Sequence, residues 1–287
     1  MNRDRALIII GGHEDKEGDK VILREVARRI GGGKLVVCTT ATEKPEQSFE
    51  EYERIFRGLG LKHVWHLNIN SREEGKDEKQ YRILECATGV FFTGGDQLAI
   101  TSQMGDTPCF QLIQQVYQDG GVIAGTSAGA AVMCETMMIS GNGQQTHRLD
   151  EAIKLAPGLG FIQGVVIDQH FAERGRVGRL LGVVAQNPKN IGLGIDENTA
   201  IVVEQDRSFY VLGDGAVTVI DCRDVSESNI ADTDLNKTLA VCDVKFHLLS
   251  AGYSFDLNER RPKRLSREVA RQKLPQAKAK GVGEEEQ

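Results

Sequence analysis

The stretch VIAGTSAGAAVMC, residues 122–134, decides the fold that we expect for this chain. Residues 122–124 are apolar and predict the end of a buried strand, and residues 130–133 are small, apolar and compatible with a helix. Between them lies the turn Gly125-Thr126-Ser127-Ala128-Gly129, which has the pattern G-x-S-x-G. A strand, this turn and a helix together form a nucleophile elbow, in which the serine is exposed at the top of an α/β sheet.

The residue types of this turn fit a reactive serine. Glycines beside Ser127 let the backbone close tightly and let a substrate approach, because they have no Cβ. The N–H groups at the start of the following helix favour an oxyanion that develops near the serine. The same five residues also fit a turn that only packs a helix against a sheet. The surrounding strand and helix favour the catalytic interpretation of Ser127.

Composition limits the classes of protein to consider. The 287 residues fit one large α/β domain or two small ones, and 26% charged with 40% hydrophobic residues is typical of a globular enzyme. The net charge of −6 gives no electrostatic support for a nucleic-acid partner. Apolar runs stay below the roughly 18 residues that a membrane span needs, and the N-terminus resembles no signal peptide. We therefore expect a cytoplasmic protein without a membrane segment.

The sequence predicts no metal site and no cofactor. Six cysteines are scattered without a CxxC pair, which is typical of reduced thiols and gives no zinc-ligand spacing. Residues 11–15, GGHED, follow the first strand but lack the G-x-G-x-x-G spacing of a dinucleotide-binding loop. The cysteines are Cys38, Cys86, Cys109, Cys134, Cys222 and Cys242.

Strands and helices alternate along the first two thirds of the chain, which predicts a mostly parallel, doubly wound sheet. Shorter strands after residue 200, with a turn at residues 213–215, predict an antiparallel extension. We expect a single domain over residues 1–260 and a polar, disordered tail over 261–287. The predicted strands are 6–10, 34–39, 63–67, 89–92, 122–124, 164–167, 191–195, 200–204, 209–212, 216–221 and 244–249.

A second glycine turn, residues 93–97 with the sequence TGGDQ, follows the fourth predicted strand. Ligands of open α/β sheets bind at the carboxyl ends of the strands, so this turn faces the same crevice as Ser127. One of its backbone N–H groups could serve as a second oxyanion donor. Equally, the turn could be a plain helix start that Asp96 caps.

A serine nucleophile needs a base and an orienting acid. Among six histidines, His170 alone combines a strand end with polar neighbours on both sides, and Glu197 ends the next strand 27 residues later. An α/β-hydrolase orders these groups as serine, acid, histidine. The order here is instead that of the class I glutamine amidotransferase-like, flavodoxin-like fold, with serine in place of cysteine. The other histidines are His13, His63, His66, His147 and His247.

Three arginines, Arg174, Arg176 and Arg179, follow the predicted base within ten residues. Guanidinium groups bind carboxylates through two parallel hydrogen bonds, so the cluster fits an acidic substrate. An exposed basic helix face is the alternative. Because the cluster comes directly after a histidine at a strand end, we favour a functional role.

Taken as a set, these motifs resemble the cyanophycinases, serine exopeptidases related to the aspartyl dipeptidases. The resemblance extends over nearly the whole chain apart from the tail. Its motifs are IIIGG (8–12), FFTGGDQ (91–97), GTSAGAAVM (125–133), DQHFAERGRVGRL (168–180), GIDENTA (194–200) and LLSAGYSFDL (248–257).

The resemblance implies a triad of Ser127, His170 and Glu197 and an oxyanion hole formed by the backbone N–H groups of Asp96 and Ala128. It further implies hydrolysis of cyanophycin, a polyaspartate bearing arginine on each β-carboxyl, to β-aspartyl-arginine, and a homodimer. Other β-aspartyl or acidic peptides remain an alternative substrate class, and a catalytically silent polymer-binding protein is a second alternative. The implied substrate pocket is lined by Gln97, Asp168, Gln169, Arg174, Arg176 and Arg179.

Overall fold

The computed structural model describes residues 5–140, 154–205, 207–232 and 238–274. His147 and residues 275–287 of the predicted tail therefore lie outside the described residues. In chain order the strands are β1 (Ala6–Ile10), β2 (Lys34–Cys38), β3 (His63–Leu67), β4 (Ala87–Phe92), β5 (Val122–Thr126), β6 (Thr136–Ser140), β7 (Lys154–Pro157), β8 (Val165–Gln169), β9 (Ile191–Ile195), β10 (Thr199–Val203), β11 (Ser208–Gly213), β12 (Val217–Asp221), β13 (Glu227–Ser228), β14 (Val241–Cys242), β15 (Lys245–Leu249), β16 (Tyr253–Asp256) and β17 (Arg261–Arg264).

The described residues contain eight helices, most of which pack on the two faces of the large sheet, as a doubly wound fold requires. They are α1 (Val21–Ile30), α2 (Pro45–Gly58), α3 (Glu78–Leu84), α4 (Gln97–Met104), α5 (Pro108–Gln118), α6 (Ala128–Ala131), α7 (Val177–Gln186) and α8 (Arg267–Lys273), with one 3-10 turn at Glu74–Lys76. Among the described residues, none of these helices is both long and apolar enough to cross a bilayer.

The large sheet has nine strands in the order β17-β16-β11-β10-β1-β5-β4-β2-β3. From β1 to β3 all neighbouring strands are parallel. Their apolar side chains alternate between two cores. For example, Ile8 packs with α1 and α2, whereas Ile9 packs on the opposite face with α4 to α6. The predicted α/β fold, with parallel strands at its centre, is therefore confirmed.

Beyond β1 the sheet continues as antiparallel strands, as predicted for β10 and β11. The prediction of a disordered tail from residue 261 is wrong for residues 261–274. Here β17 pairs with β16, and α8 follows it. The polar composition of this segment misled the prediction, because backbone pairing at a sheet edge tolerates charged side chains on both faces. The Lys273 ammonium ties α8 to the sheet through an ion pair with Glu204.

A second, four-stranded sheet has the order β15-β12-β9-β8. Strands β8 and β9 are parallel, whereas β12 runs antiparallel to β9 and β15. The predicted placement of residues 216–221 in the antiparallel extension is therefore wrong. The turn at residues 213–215 passes the chain from the large sheet to the second sheet, and no hairpin joins β11 to β12 in the described pairing.

The two sheets share one core, in which Ile167 of β8, Leu193 of β9 and Val219 of β12 pack with residues of the large sheet. The other face of the second sheet is covered by α7 through Leu180 and Val184. This stacking brings the carboxyl ends of β8 and β9 next to the carboxyl ends of β1 and β5. A crevice between two sheets results, and it is where the predicted catalytic residues meet.

Candidate active site

Ser127 lies in a strained turn between β5 and α6. Its φ of 53° and ψ of −110° are uncommon for a residue with a side chain and cost on the order of 1–3 kcal/mol. Gly129 is required by close packing, since a Cβ there would come within 2.4 Å of the Phe92 carbonyl oxygen. Helix α6 covers residues 128–131 and so begins two residues before the predicted stretch 130–133. The backbone N–H of Ala128, which directly follows the serine, is thus its nearest helical donor.

The three predicted catalytic residues form a continuous hydrogen-bonded relay. The Ser127 Oγ lies 2.9 Å from Nε2 of His170, and His170 Nδ1 lies 2.6 Å from Oε1 of Glu197. The nucleophile comes from the large sheet, whereas the base and the acid follow β8 and β9 of the second sheet. The arrangement is that of a nucleophile, a general base and an orienting carboxylate.

The segment after β1 joins the two halves of this relay. Its carbonyl groups accept hydrogen bonds from three backbone N–H groups: Ser127 to Ile10 (3.1 Å), His170 to Gly11 (2.8 Å) and Asn198 to Gly12 (2.8 Å). Glycine is needed here, because a Cβ on Gly12 would lie 2.3 Å from the His170 ring, and its φ is +108°. This segment therefore fixes the spacing between nucleophile, base and acid.

Burial favours the neutral form of His170, which is the form that acts as a general base. Removal from water lowers the pKa of His170, while the hydrogen bond from its ring to Glu197 raises it and the nearby charge of Arg174 lowers it; the net direction is downward. The imidazole is thus neutral at neutral pH and can accept the Ser127 proton. Partial burial raises the pKa of Glu197, but hydrogen bonds from His13 and His170 outweigh it, so this pKa is lowered and the carboxylate stays charged.

The glycine turn before α4 does not supply the oxyanion donor that was predicted at Asp96. The Asp96 backbone N–H donates to the Ala41 carbonyl oxygen at 2.8 Å, so it is not available as an oxyanion donor. The Asp96 carboxylate accepts a hydrogen bond from Leu98 N at 2.8 Å and caps α4, which confirms the capping alternative. Gly94 of the same turn lies beside Ser127, since a Cβ built on it would be 3.4 Å from the Ser127 Cβ.

Most of the predicted substrate-binding residues are paired with one another. The Asp168 carboxylate is 1% exposed and accepts hydrogen bonds from Arg176 Nη1 at 3.0 Å and Arg179 Nε at 2.6 Å. Arg176 also bonds Gln169 through the side-chain Oε1 at 3.2 Å. This differs from the implied pocket that Asp168 lines, because its buried carboxylate must be paired and its partners here are arginines of the protein.

Two of the predicted substrate-binding residues lie outside this buried network. Arg174 is exposed, and Gln97 is half-buried, with its amide nitrogen donating to the Met138 carbonyl oxygen at 2.9 Å. The charge of Arg174 is close enough to lower the pKa of His170. These two residues flank the site from different loops.

A cavity of about 620 Å³ opens beside Ser127 and His170. Its wall holds the buried Glu14, whose carboxylate accepts hydrogen bonds of 2.5 Å from Tyr52 Oη and from Thr126 Oγ1. Because Thr126 directly precedes the serine, Glu14 and Tyr52 brace the elbow. Sequence reasoning missed both residues.

A second histidine also reaches the catalytic carboxylate. The Nδ1 atom of His13 lies 2.8 Å from Oε2 of Glu197, and the His13 side chain is 73% exposed. Sequence reasoning missed His13, although one signal was present. The segment GGHED follows the carboxyl end of β1, the edge at which Ser127 was already expected, and it was considered only as a nucleotide-binding loop.

Comparisons with known proteins identify the family and the fold of this chain. The model of peptidase family S51 matches residues 7–211. The cyanophycinase of Synechococcus elongatus is 37% identical over 254 residues, covering 88% of this chain and 79% of that protein. The cyanophycinase of Trichormus variabilis is 39% identical over 258 residues, covering 89% and 86%. The crystal structure of a peptidase from an acI-B1 Actinobacterium has the same fold, with a TM-score of 0.63 at 22% identity over 89% of this chain and 98% of that one.

Proposed function

This chain belongs to peptidase family S51 and is a serine-type peptidase, and we propose that it acts as an exopeptidase on cyanophycin. The product is the β-aspartyl-arginine dipeptide, released from a chain end. The observation that carries the proposal is the relay of Ser127, His170 and Glu197, in a chain whose relatives are cyanophycinases. The relay supplies the chemistry, and the relatives indicate the substrate.

The reaction begins when Ser127 Oγ attacks the backbone carbonyl between two aspartates. His170 Nε2, 2.9 Å away, takes the hydroxyl proton as the new C–O bond forms. Glu197 holds the imidazole by its Nδ1 and stabilises the cation that results. His170 then gives the proton to the leaving amine, and an acyl-enzyme on Ser127 remains. Water, activated by the same histidine, hydrolyses that ester.

Backbone amides stabilise the oxyanion of both steps. The Ala128 N–H is one donor, since it follows the nucleophile at the start of α6. We assign the second donor to the turn formed by Gly94 and Gly95, in place of the Asp96 amide that donates to Ala41. Each such donor contributes about 3 kcal/mol to lowering the barrier in comparable enzymes.

The predicted substrate-binding residues divide into two groups in this proposal. Arg174 and Gln97 contact the substrate, and the exposed guanidinium of Arg174 binds a free carboxylate of the polymer. Asp168, Gln169, Arg176 and Arg179 instead support the segment that carries His170 and Arg174.

We propose a homodimer on the basis of the resemblance alone. A molar mass of about twice 31.5 kDa, measured by light scattering after size exclusion, is the expected result. A mass of one chain would contradict it.

The first experiment follows the release of β-aspartyl-arginine from purified cyanophycin by the wild type and by Ser127→Ala. We expect the wild type to liberate the dipeptide and the variant to fall by several orders of magnitude. A wild type that cleaves short isoaspartyl peptides but leaves the polymer intact would replace the substrate and keep the mechanism. Activity that survives in the alanine variant would reject the serine mechanism itself.

A further inference from the structure

The catalytic carboxylate is shared by two imidazoles. Oε1 of Glu197 lies 2.6 Å from Nδ1 of His170, and Oε2 lies 2.8 Å from Nδ1 of His13. The two rings meet edge to face with their centroids 5.0 Å apart. Catalysis needs one imidazole on this carboxylate, so the relay gives no role to the second imidazole, that of the solvent-exposed His13.

Two imidazoles and a carboxylate form a donor set that favours Zn²⁺. Mg²⁺ and Ca²⁺ instead take oxygen ligands. One ligand atom from each of His13, His170 and Glu197 lies within 4.8 Å of the other two. Ligands at 2.0–2.2 Å around a tetrahedral ion are roughly 3.4 Å apart, so the most distant ligand atoms would need to approach by at most about 1.4 Å to complete the site. His13 is 73% exposed and can make that shift.

We propose that His13, Glu197 and His170 form a reversible inhibitory Zn²⁺ site at the catalytic centre. Three protein ligands hold the ion, and a fourth position stays open to water in the cavity beside Ser127. The site requires both sheets and the segment after β1, because its ligands follow β1, β8 and β9. The proposed ion lies on the side of the Glu197 carboxylate that faces His13.

The bound ion would stop catalysis through the tautomer of His170. In the relay, Nδ1 carries the proton that faces Glu197, and Nε2 holds the lone pair that accepts the Ser127 proton. A metal ion on Nδ1 needs a lone pair on that atom, so the Nδ1 proton is released to solvent and the neutral ring takes up its single proton at Nε2 instead. Nε2 then donates to Ser127 Oγ and cannot accept its proton. Glu197, bound to the ion, no longer compensates the imidazolium.

The binding test needs no substrate, so it is independent of the proposed function. Ser127→Ala protein, which keeps all three ligands, is titrated with ZnCl₂ by calorimetry and with Co²⁺ by visible absorption. We expect one equivalent of Zn²⁺ with a micromolar or tighter Kd, and the intense Co²⁺ bands typical of a tetrahedral site. Adding His13→Asn should weaken binding at least tenfold. Asparagine suits this position because His13 has a φ of 45°, which asparagine tolerates.

A matched control is His63→Asn, which removes an exposed histidine on β3, away from the site. It should leave the affinity unchanged. Equal binding by the His13 and His63 variants, or several equivalents of zinc per chain, would mean surface histidines only and overturn the proposal. Binding weaker than about 1 mM in all proteins would overturn it as well.

The activity arm compares zinc inhibition of wild type and His13→Asn with the same substrate. Wild type should lose activity as Zn²⁺ is added and regain it with EDTA, and the variant should need at least tenfold more Zn²⁺ for half-inhibition. Asparagine can still donate a hydrogen bond to Glu197, so the comparison separates the lost metal ligand from a lost hydrogen bond. Identical inhibition curves would contradict the site.

Discussion

Two charged clusters meet at the end of β8 and differ in how their charges are satisfied. Asp168 and its two guanidinium partners, Arg176 and Arg179, are each less than a tenth exposed and bond one another. Two residues further on, His170 bonds Ser127 and shares Glu197 with the exposed His13. We call these the sealed cluster and the open cluster. The first pairs its carboxylate with its guanidiniums away from solvent, whereas the second keeps reactive atoms at a cavity.

Backbone strain follows the same division. Ser127, His170 and Asn198 have positive φ angles of 53°, 48° and 46°, and all three surround the open cluster. Residues held in such conformations persist when the surrounding structure overdetermines them. Here the segment after β1 does so through hydrogen bonds to each of the three. The comparison shows that backbone strain and partial exposure, rather than charge alone, distinguish the open cluster, which carries the reactive groups.

The largest expected effect is a loss of activity, with little loss of stability, on changing the open cluster. His170→Asn removes the base, and asparagine tolerates the φ of 48° at this position. We expect kcat/KM to fall by about 10⁴- to 10⁶-fold, the range of triad losses in other serine peptidases, with little change in Tm. The rate at which a fluorophosphonate labels Ser127 gives the same answer without a natural substrate. Labelling at the wild-type rate would refute the relay.

The next effect belongs to the sealed cluster and should appear in stability. Burial lowers the pKa of Arg176 to about 10, against the opposing charge of Asp168. Asp168→Asn removes the buried counter-charge that the guanidiniums of Arg176 and Arg179 share and should reduce the free energy of unfolding by about 3–5 kcal/mol. Urea denaturation measures this loss. Arg174→Gln, an exposed change in the same segment, is the control and should stay within about 0.5 kcal/mol.

A smaller effect tests the brace behind the nucleophile. Tyr52→Phe removes the 2.5 Å hydrogen bond to the buried Glu14, which also holds Thr126 beside the serine. Loss of a hydrogen bond to a charged group should cost about 1.5–3 kcal/mol of unfolding free energy. Tyr81→Phe removes a solvent-exposed hydrogen bond to the Lys76 carbonyl oxygen and should cost much less. Equal losses of unfolding free energy in the two variants would mean that Tyr52 does not brace the elbow.

The smallest effect is a shift in pH dependence. Burial lowers the pKa of His170, so the active neutral form dominates above a midpoint that lies below 6.5, and activity is lost as the pH falls through it. The positive charge of Arg174 contributes to this lowering. Arg174→Gln should therefore move the acid limb of kcat upward by a fraction of a pH unit, more at low salt. A downward shift would contradict this sign.

Local sequence patterns predicted the parts of this protein that depend on neighbouring residues. Short apolar runs gave β1, β2, β4 and β5 because a strand buried on both faces needs continuous apolar side chains. The G-x-S-x-G turn predicted the elbow for a similar reason, since the steric demand at Gly129 is local. The order of Ser127, His170 and Glu197 along the chain then predicted the relay.

Pairings between distant segments could not be predicted in this way. Residues 217–221 have the same alternation whichever sheet they join, and only packing with β9 places them in the second sheet. Likewise, a carboxylate near three arginines predicts substrate binding as readily as internal pairing, and burial of Asp168 decides between them. The expectation of no zinc site relied on close spacing, whereas His13 and Glu197 are 184 positions apart.

The three hydrogen bonds to the segment after β1 have a consequence for biosynthesis. Ser127 is translated some 40 residues before its base and 70 residues before its acid, and both dock on a segment that is made earlier still, residues 10–12. A nascent or truncated chain therefore contains the reactive serine without the means to activate it. Proteolytic competence appears only when the first and last parts of the relay are joined, so enzymatic activity reports on completed folding of both sheets.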